Sequence, residues 1–301
     1  MSKPELVKLL REATQAGMSD CIKALQECQD NIEEAQKWLK EKGIAKANKK
    51  AGAIAYEGVV KAGVSDNKAI IIEINSQTDF TAKNESFIKL VDNVFDTLKK
   101  EIKTSGPIEQ NKVMVAGKPL SEVGVELTAT TGEKIAFRRG EVYVLNGNES
   151  ITSYTHSNNK IATIIVFDNK VSEDVGKDIA MHAAAMMPKY LDVASVDATF
   201  LSSEKEILHK QFLEELKNIK DEKVKSEKEK RANVIVDGKV KKLLKEICLV
   251  DQPFVKDTSK TVGQYAKEHG VNIVKMIRYE LGEGIERKES NFADEVAAQM
   301  R

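Results

Sequence analysis

Residues 70–74, Ile-Ile-Ile-Glu-Ile, form a β-branched, nearly unbroken apolar run that stops abruptly at Asn75-Ser76-Gln77-Thr78-Asp79-Phe80-Thr81. A run this short and this rich in isoleucine predicts a buried strand, which commits the chain to a sheet. Asn84 then precedes Phe87, Ile88, Val91, Val94, Phe95 and Leu98. That stripe has helical spacing, with the asparagine as its N-cap. Residues 75–81 therefore read as a strand-to-helix loop, the kind of surface position where function concentrates. Phe80 has no apolar neighbours in that loop. It either folds back on the core or projects outward, and spacing alone leaves both open.

The remaining chain is long enough, at 301 residues, for two or more domains with their own cores. Its 47 basic side chains are matched by 47 acidic ones, so no global field draws it toward nucleic acid or anionic membrane. With 31% charged and 5% aromatic residues, it has the composition of a helix-rich chain with extensive solvated faces. Cys21, Cys28 and Cys248 form neither a disulfide framework nor a zinc pattern, which points to a reducing compartment. Cys21, Leu25 and Cys28 fall on one helix face and read as small core residues. The N-terminal stretch resembles neither a signal peptide nor an Arg-rich transit segment, and no apolar run is long enough to span a bilayer. The expected location is cytoplasmic.

Along the chain, residues 1–44 read as three helices: Ser2 and Glu5 make a capping-box pattern, Ala16-Gly17-Met18-Ser19 breaks the chain, Asp30 and Glu33 start the third helix and Gly43 stops it. Residues 45–53, rich in Lys and Ala, read as a linker. One architecture then runs twice, a hairpin followed by a helix and later by a returning strand, over 54–140 and over 141–200 with 245–284. The fold class is α+β, with two antiparallel-sheet subdomains. Residues 201–244 are an insertion in which Leu208, Phe212, Leu216 and Ile219 make a narrow apolar stripe on a charged rod, predicting an antiparallel helical hairpin. Residues 285–301 end the chain in an amphipathic helix carrying Phe292, Val296 and Met300.

A search for catalytic chemistry returns little. There is no phosphate loop of the G-x-x-x-x-G-K-[ST] type, no H-E-x-x-H, no G-x-S-x-G and no EF-hand loop. His156, His182, His209 and His269 are too scattered for a ligand set and read as structural or solvated. The expectation is a binding protein with no cofactor, no metal and no catalytic residue. An adaptor or nucleic-acid-binding protein using the three-helix unit and the helical arm is the alternative, opposed by the balanced charge; a small-substrate hydrolase would need converging acids and bases.

Several segments taken together resemble the bacterial elongation factor Ts family, the guanine-nucleotide exchange factors of elongation factor Tu. They are Gly17-Met18-Ser19-Asp20-Cys21 with Lys23-Ala24-Leu25, Asn75-Ser76-Gln77-Thr78-Asp79-Phe80, Asp178-Ile179-Ala180-Met181-His182, Gln252-Pro253-Phe254-Val255-Lys256-Asp257, Ser259-Lys260-Thr261-Val262-Gly263-Gln264 and Arg278-Tyr279-Glu280-Leu281-Gly282-Glu283-Gly284-Ile285-Glu286. The resemblance implies a ubiquitin-associated-like N-terminal domain, two sheet subdomains, a coiled-coil arm, and elongation factor Tu as partner, bound with GDP and nucleotide-free. It also implies that Thr78, Asp79, Phe80 and Thr81 reach into the partner's GTP-binding domain, with Phe80 wedged near its magnesium ion. Arg11, Gly17, Met18 and Gly132 are implied contacts to that domain, and His156 a contact to another part of the partner. The chain departs from the family where a second methionine commonly follows Met18 and a valine follows Phe80, having Ser19 and Thr81 instead. The arm's turn, often Gly-Lys-Pro, falls at Ser226-Glu227-Lys228.

Overall fold

The computed structural model describes residues 2–14 and 16–285. The terminal helix expected over 285–301 thus lies, apart from Ile285, outside the described residues. Three helices open the chain: α1 (Lys3–Thr14), α2 (Met18–Glu27) and α3 (Ile32–Lys50). Leu6, Leu10, Cys21, Ala24, Leu25 and Ala35 pack between them, with Cys28 partly buried alongside, so the two cysteines do face this core. Two details of the third helix differ from expectation. Its cap is Asn31, whose Oδ1 accepts from the Glu33 and Glu34 N–H groups at 3.1 and 3.2 Å, because Asp30 is turned into the left-handed region at φ 60. Nor does Gly43 stop it. The helix runs on through residues 45–50, taken above for linker, and Gly43 instead permits a close crossing with a later helix: a β-carbon there would stand 2.6 Å from that of Ala129.

A hairpin of β1 (Glu57–Ser65) and β2 (Lys68–Ser76) leads into the one-turn helix α4 (Asp79–Ala82) and then α5 (Glu85–Glu101), capped by Asn84. Short strands β3 (Gly106–Pro107), β4 (Met114–Val115) and β5 (Lys118–Pro119) and helix α6 (Val125–Thr131) precede β6 (Ala136–Val144). The strand order β1-β2-β6-β3 places β2 in the middle of an antiparallel sheet. Strand β6 runs four residues past the boundary read at 140, since Val142 still belongs to the core under α5. Next come β7 (Ser150–Thr155), β8 (Ile161–Phe167) and α7 (Glu173–Met186), then the arm helices α8 (Ala198–Lys217), α9 (Glu222–Lys230) and α10 (Ala232–Ile247). The chain returns through β9 (Pro253–Phe254), β10 (Asp257–Thr261), α11 (Val262–Glu268) and β11 (Ile273–Glu280), which completes a second antiparallel sheet of order β11-β8-β7.

The two sheets lie face to face. On one side of β2, Ile70, Ile72 and Ile74 join Phe87, Val91, Val94 and Leu98 of α5. On its other side, Ala69 and Ile71 meet Ala162, Ile164 and Val166 of β8, whose alternate residues Ile165 and Phe167 pack on α7. Both central strands are covered on both faces, which is why they read as continuous apolar runs and not as alternating ones. The one charge in the run, Glu73, is fully buried and held by Arg138 Nη1 and Arg139 Nε, each at 2.7 Å, and by the Gly282 N–H at 2.8 Å. In the arm, Phe212 and Leu216 pack against Val236 and Val240. The expected turn at Ser226-Glu227-Lys228 lies inside α9. Those residues include no helix breaker, whereas Asn218 and Asp221 favour helix ends, and Asp221 caps α9 through the Lys223 and Val224 N–H groups.

Candidate functional site

Strand β2 delivers Thr78 to one end of the first sheet, and there the chain does not stay a loop. Thr78 takes extended angles and its hydroxyl oxygen accepts from the Thr81 N–H at 3.3 Å, capping α4. Its own N–H and hydroxyl both donate to the Glu133 carboxylate, at 3.1 and 2.9 Å. Beside it, Gln77 Oε1 accepts from the Lys134 N–H at 2.8 Å. The chain entering α4 is therefore pinned at two successive residues, Gln77 and Thr78, to the segment Glu133-Lys134. Thr81 and Ala82 turn inward and are buried, so Thr81 presents no side chain to a partner. Phe80 points the other way and is 82% exposed, which resolves the alternative left open by its spacing.

Asp79 sits 2.6 Å from Lys83 Nζ one helical turn on. That hydrogen bond, with the charges of Lys83 and Lys160, holds the Asp79 carboxyl below the usual carboxylate range. Lys160 belongs to the tip between β7 and β8 and also reaches Glu57 at 3.0 Å. His156 stands on the same tip, exposed, with Nδ1 2.9 Å from the Tyr154 hydroxyl. Glu57 pairs with Ser76 and Asn75 with Ala136 at one end of the first sheet, Glu280 with Ile161 at one end of the second, and the Lys160–Glu57 contact together with the Val60 N–H, which donates to the Asn159 carbonyl at 2.8 Å, joins those two ends. Phe80, Gly132 and His156 accordingly lie at one end of the two-sheet body. Gly132 ends α6 in the left-handed conformation, φ 74, with open space where a side chain would be.

Arg11, Gly17 and Met18 are on the three-helix unit, away from that end in sequence but joined to it through α3 and α6. Gly17 occupies the N-cap of α2 and leaves Met18, 56% exposed, at the helix start. Met18, Ile22, Val7 and Pro4 line an apolar cleft of about 380 Å³. Arg11 is exposed in the last turn of α1. Glu133 and Lys160 carry no signal of their own in the sequence, and Gln77 stands out there only as part of the Asn75-to-Phe80 run; no spacing could have found Glu133, since it meets Thr78 from 55 positions away.

The other distinctive segments turn out to build the frame. His182 is fully buried; its Nδ1 accepts from the Val255 N–H at 3.2 Å, which leaves Nε2 to donate to Gln252 Oε1 at 3.0 Å. Burial holds this imidazole below the usual histidine range, in its neutral form. Gln252 in turn donates to the Met186 and Glu246 carbonyls, tying α7 to α10. Thr261 and Gln264 form the capping box of α11. Among the described residues, no group of three or more His, Cys, Asp or Glu side chains is placed to hold a metal ion, and no helix is long and apolar enough to cross a membrane.

The family model described as Elongation factor TS matches residues 77–283, from just before the Phe80 turn to Glu283 at the end of the second sheet. Over the whole chain and the whole relative, the sequence is 44% identical to "Elongation factor Ts" of Ureaplasma parvum. The chain belongs to the elongation factor Ts family. Other members include those of Spiroplasma citri, 44% identical over 98% of each chain, and Mycoplasmoides gallisepticum, 43% identical over 99% of this chain and 98% of the relative. Membership of the elongation factor Ts family implies nucleotide exchange on elongation factor Tu.

Proposed function

We propose that this chain binds elongation factor Tu in its GDP state, inserts the turn of Thr78, Asp79 and Phe80 beside the nucleotide, dislodges the magnesium ion, and so releases GDP for replacement by GTP. The observation that carries this reading is an aromatic ring 82% exposed on a helical turn whose backbone is pinned to a second element. An exposed Phe on a floppy loop would be expensive to order on binding; here the ordering is already done.

The mechanism is thermodynamic linkage. If the factor weakens GDP binding, GDP weakens the factor's binding by the same free energy. Burying Phe80 fully contributes about 1.5 to 3 kcal/mol, whereas lowering nucleotide affinity about a thousandfold needs about 4 kcal/mol. Phe80 therefore acts with other contacts. Met18 and its cleft, Arg11, Gly17, Gly132 and His156 are the groups we assign to them, within an interface of at least the standard size, roughly 1,600 Å². The factor speeds release of either nucleotide; an excess of GTP over GDP sets the direction of net exchange. In this scheme residues 1–44 are the docking domain, the arm is a coiled coil projecting from the second subdomain, and the protein works in the cytoplasm. Stopped-flow release of a fluorescent GDP from elongation factor Tu, with and without this chain, tests the reading: acceleration is expected, and an unchanged release rate at saturating factor overturns it.

A further inference from the structure

Helix α6 touches both halves of the proposed interface. On its flank, α3 crosses at Gly43, where a β-carbon would stand 2.6 Å from the Ala129 β-carbon, and Lys40 Nζ lies 4.0 Å from Glu126. Glu126 is itself held by Lys118. Because Ala35 of α3 shares a core with Leu10, Cys21 and Leu25, the three-helix unit moves with α3 as one piece. At its C-terminal end, α6 stops at Gly132, and the next residue, Glu133, takes both the N–H and the hydroxyl of Thr78, the cap of the turn that carries Phe80. The crossing at Ala129 and the contact at Glu133 are four positions apart on one short element, about 6 Å at helical rise.

We propose that α6 is a bracket that sets the spacing and angle between the Met18 surface and Phe80, with Gly43, packed on its flank, and Glu133, just past its C-terminal end, as positioning residues. The proposal rests on the reading of the Phe80 turn as the element that enters elongation factor Tu. Two contacts carried on one rigid piece engage a partner with a high effective concentration, and that advantage disappears when the geometry forbids simultaneous engagement. Glycine at 43 is then not a helix stop but the only residue that lets α3 lie this close to α6. Glu133 acts through Thr78 and never needs to touch the partner.

The test is GDP release from elongation factor Tu by the full chain, titrated to saturation, with thermal unfolding of each variant alongside. Gly43→Ala puts a better helix former into α3 while pushing it off α6. It should raise the half-saturating concentration about five-fold or more at a preserved maximal rate. Adding Ala129→Gly, which returns the space, should restore it to within about two-fold. Glu133→Ala should lower the maximal rate about five-fold or more with little change in half-saturation, and Glu133→Gln, which keeps an oxygen for Thr78, should recover most of that loss. A Gly43→Ala chain with the original half-saturation, a rescue that fails, or Glu133→Ala and Glu133→Gln behaving alike would overturn the bracket. Should Gly43→Ala not fold, the Glu133 pair decides alone. If even the unmodified chain leaves GDP release unchanged, the exchange reading fails first and the bracket falls with it.

Discussion

Phe80 is the residue on which structure and function part company most sharply. Its ring supports none of the cores, so Phe80→Ala should cost the fold well under the ~3 to 5 kcal/mol of a buried Phe. GDP release, by contrast, should slow about ten-fold or more, a gap of at least ~1.4 kcal/mol in transition-state stabilisation. Thermal unfolding beside the release rate checks both; a sharply lowered melting temperature with normal exchange would contradict the assignment. Asp79→Ala should act more weakly, because its partner Lys83 is an exposed neighbour one turn away, and solvent-screened pairs of this kind contribute little. Elsewhere, Tyr279 stacks under the Arg139 guanidinium at 4.1 Å, and burial, with Glu141 nearby, pushes its phenol up to about 12. A folded pKa above the unfolded value of 10.0 means stability fully present below pH 10 and lost as pH rises toward 12. Tyr279→Phe should therefore blunt alkaline unfolding in that window, read as melting temperature against pH. An unchanged profile would show that the tyrosine takes no part in it.

At the scale of elements, the arm shows how narrow a stabilising contact can be. Helices α8 and α10 are joined by a strip centred on Phe212, Leu216, Val236 and Val240, while α9, between them, buries no residue. Phe212→Ala removes the largest member of that strip and should cost about 3 to 5 kcal/mol locally. The expected signature is early proteolysis within residues 198–247 and a low-temperature loss of helical signal, with the main transition unmoved. A single, uniformly lowered transition would mean that the arm and the sheets unfold as one unit. The helical stripe at 208, 212, 216 and 219 was legible in the sequence because apolar periodicity on a charged rod has few other interpretations. The position of the turn was not, since Ser226-Glu227-Lys228 and Asn218 to Asp221 are separated only by capping chemistry.

For the whole molecule, the hydrophobic clusters of the two sheets draw, among the described residues, on none before Val59. Deleting residues 1–50 should therefore leave the body folded, with a cooperative melt, while weakening binding to elongation factor Tu about ten-fold or more, measured by titration calorimetry. Undiminished affinity would give the three-helix unit another task. Holding the body together is a different device, the clasp in which buried Glu73 gathers Arg138, Arg139 and the Gly282 N–H. Arg139 continues it to the Glu280 carbonyl and the Glu283 carboxylate at 3.1 and 2.9 Å, so one carboxylate joins the first sheet to the end of the second.

Local chemistry was enough to determine the elements: an isoleucine run makes a strand, Asn84 and Ser172 cap helices, and a stripe at steps of three and four makes a buried face. The twofold recurrence of hairpin, helix and returning strand was also readable, because it is a pattern of periods along one chain. The reason for Gly43 and the existence of the Glu133 and Glu73 contacts were decided only by the tertiary structure, as was the direction of Phe80 so far as spacing goes, since only the family resemblance implied that it points outward. Each depends on groups dozens to hundreds of positions apart, and periodicity carries no record of which distant backbone or carboxylate the fold will bring within 3 Å.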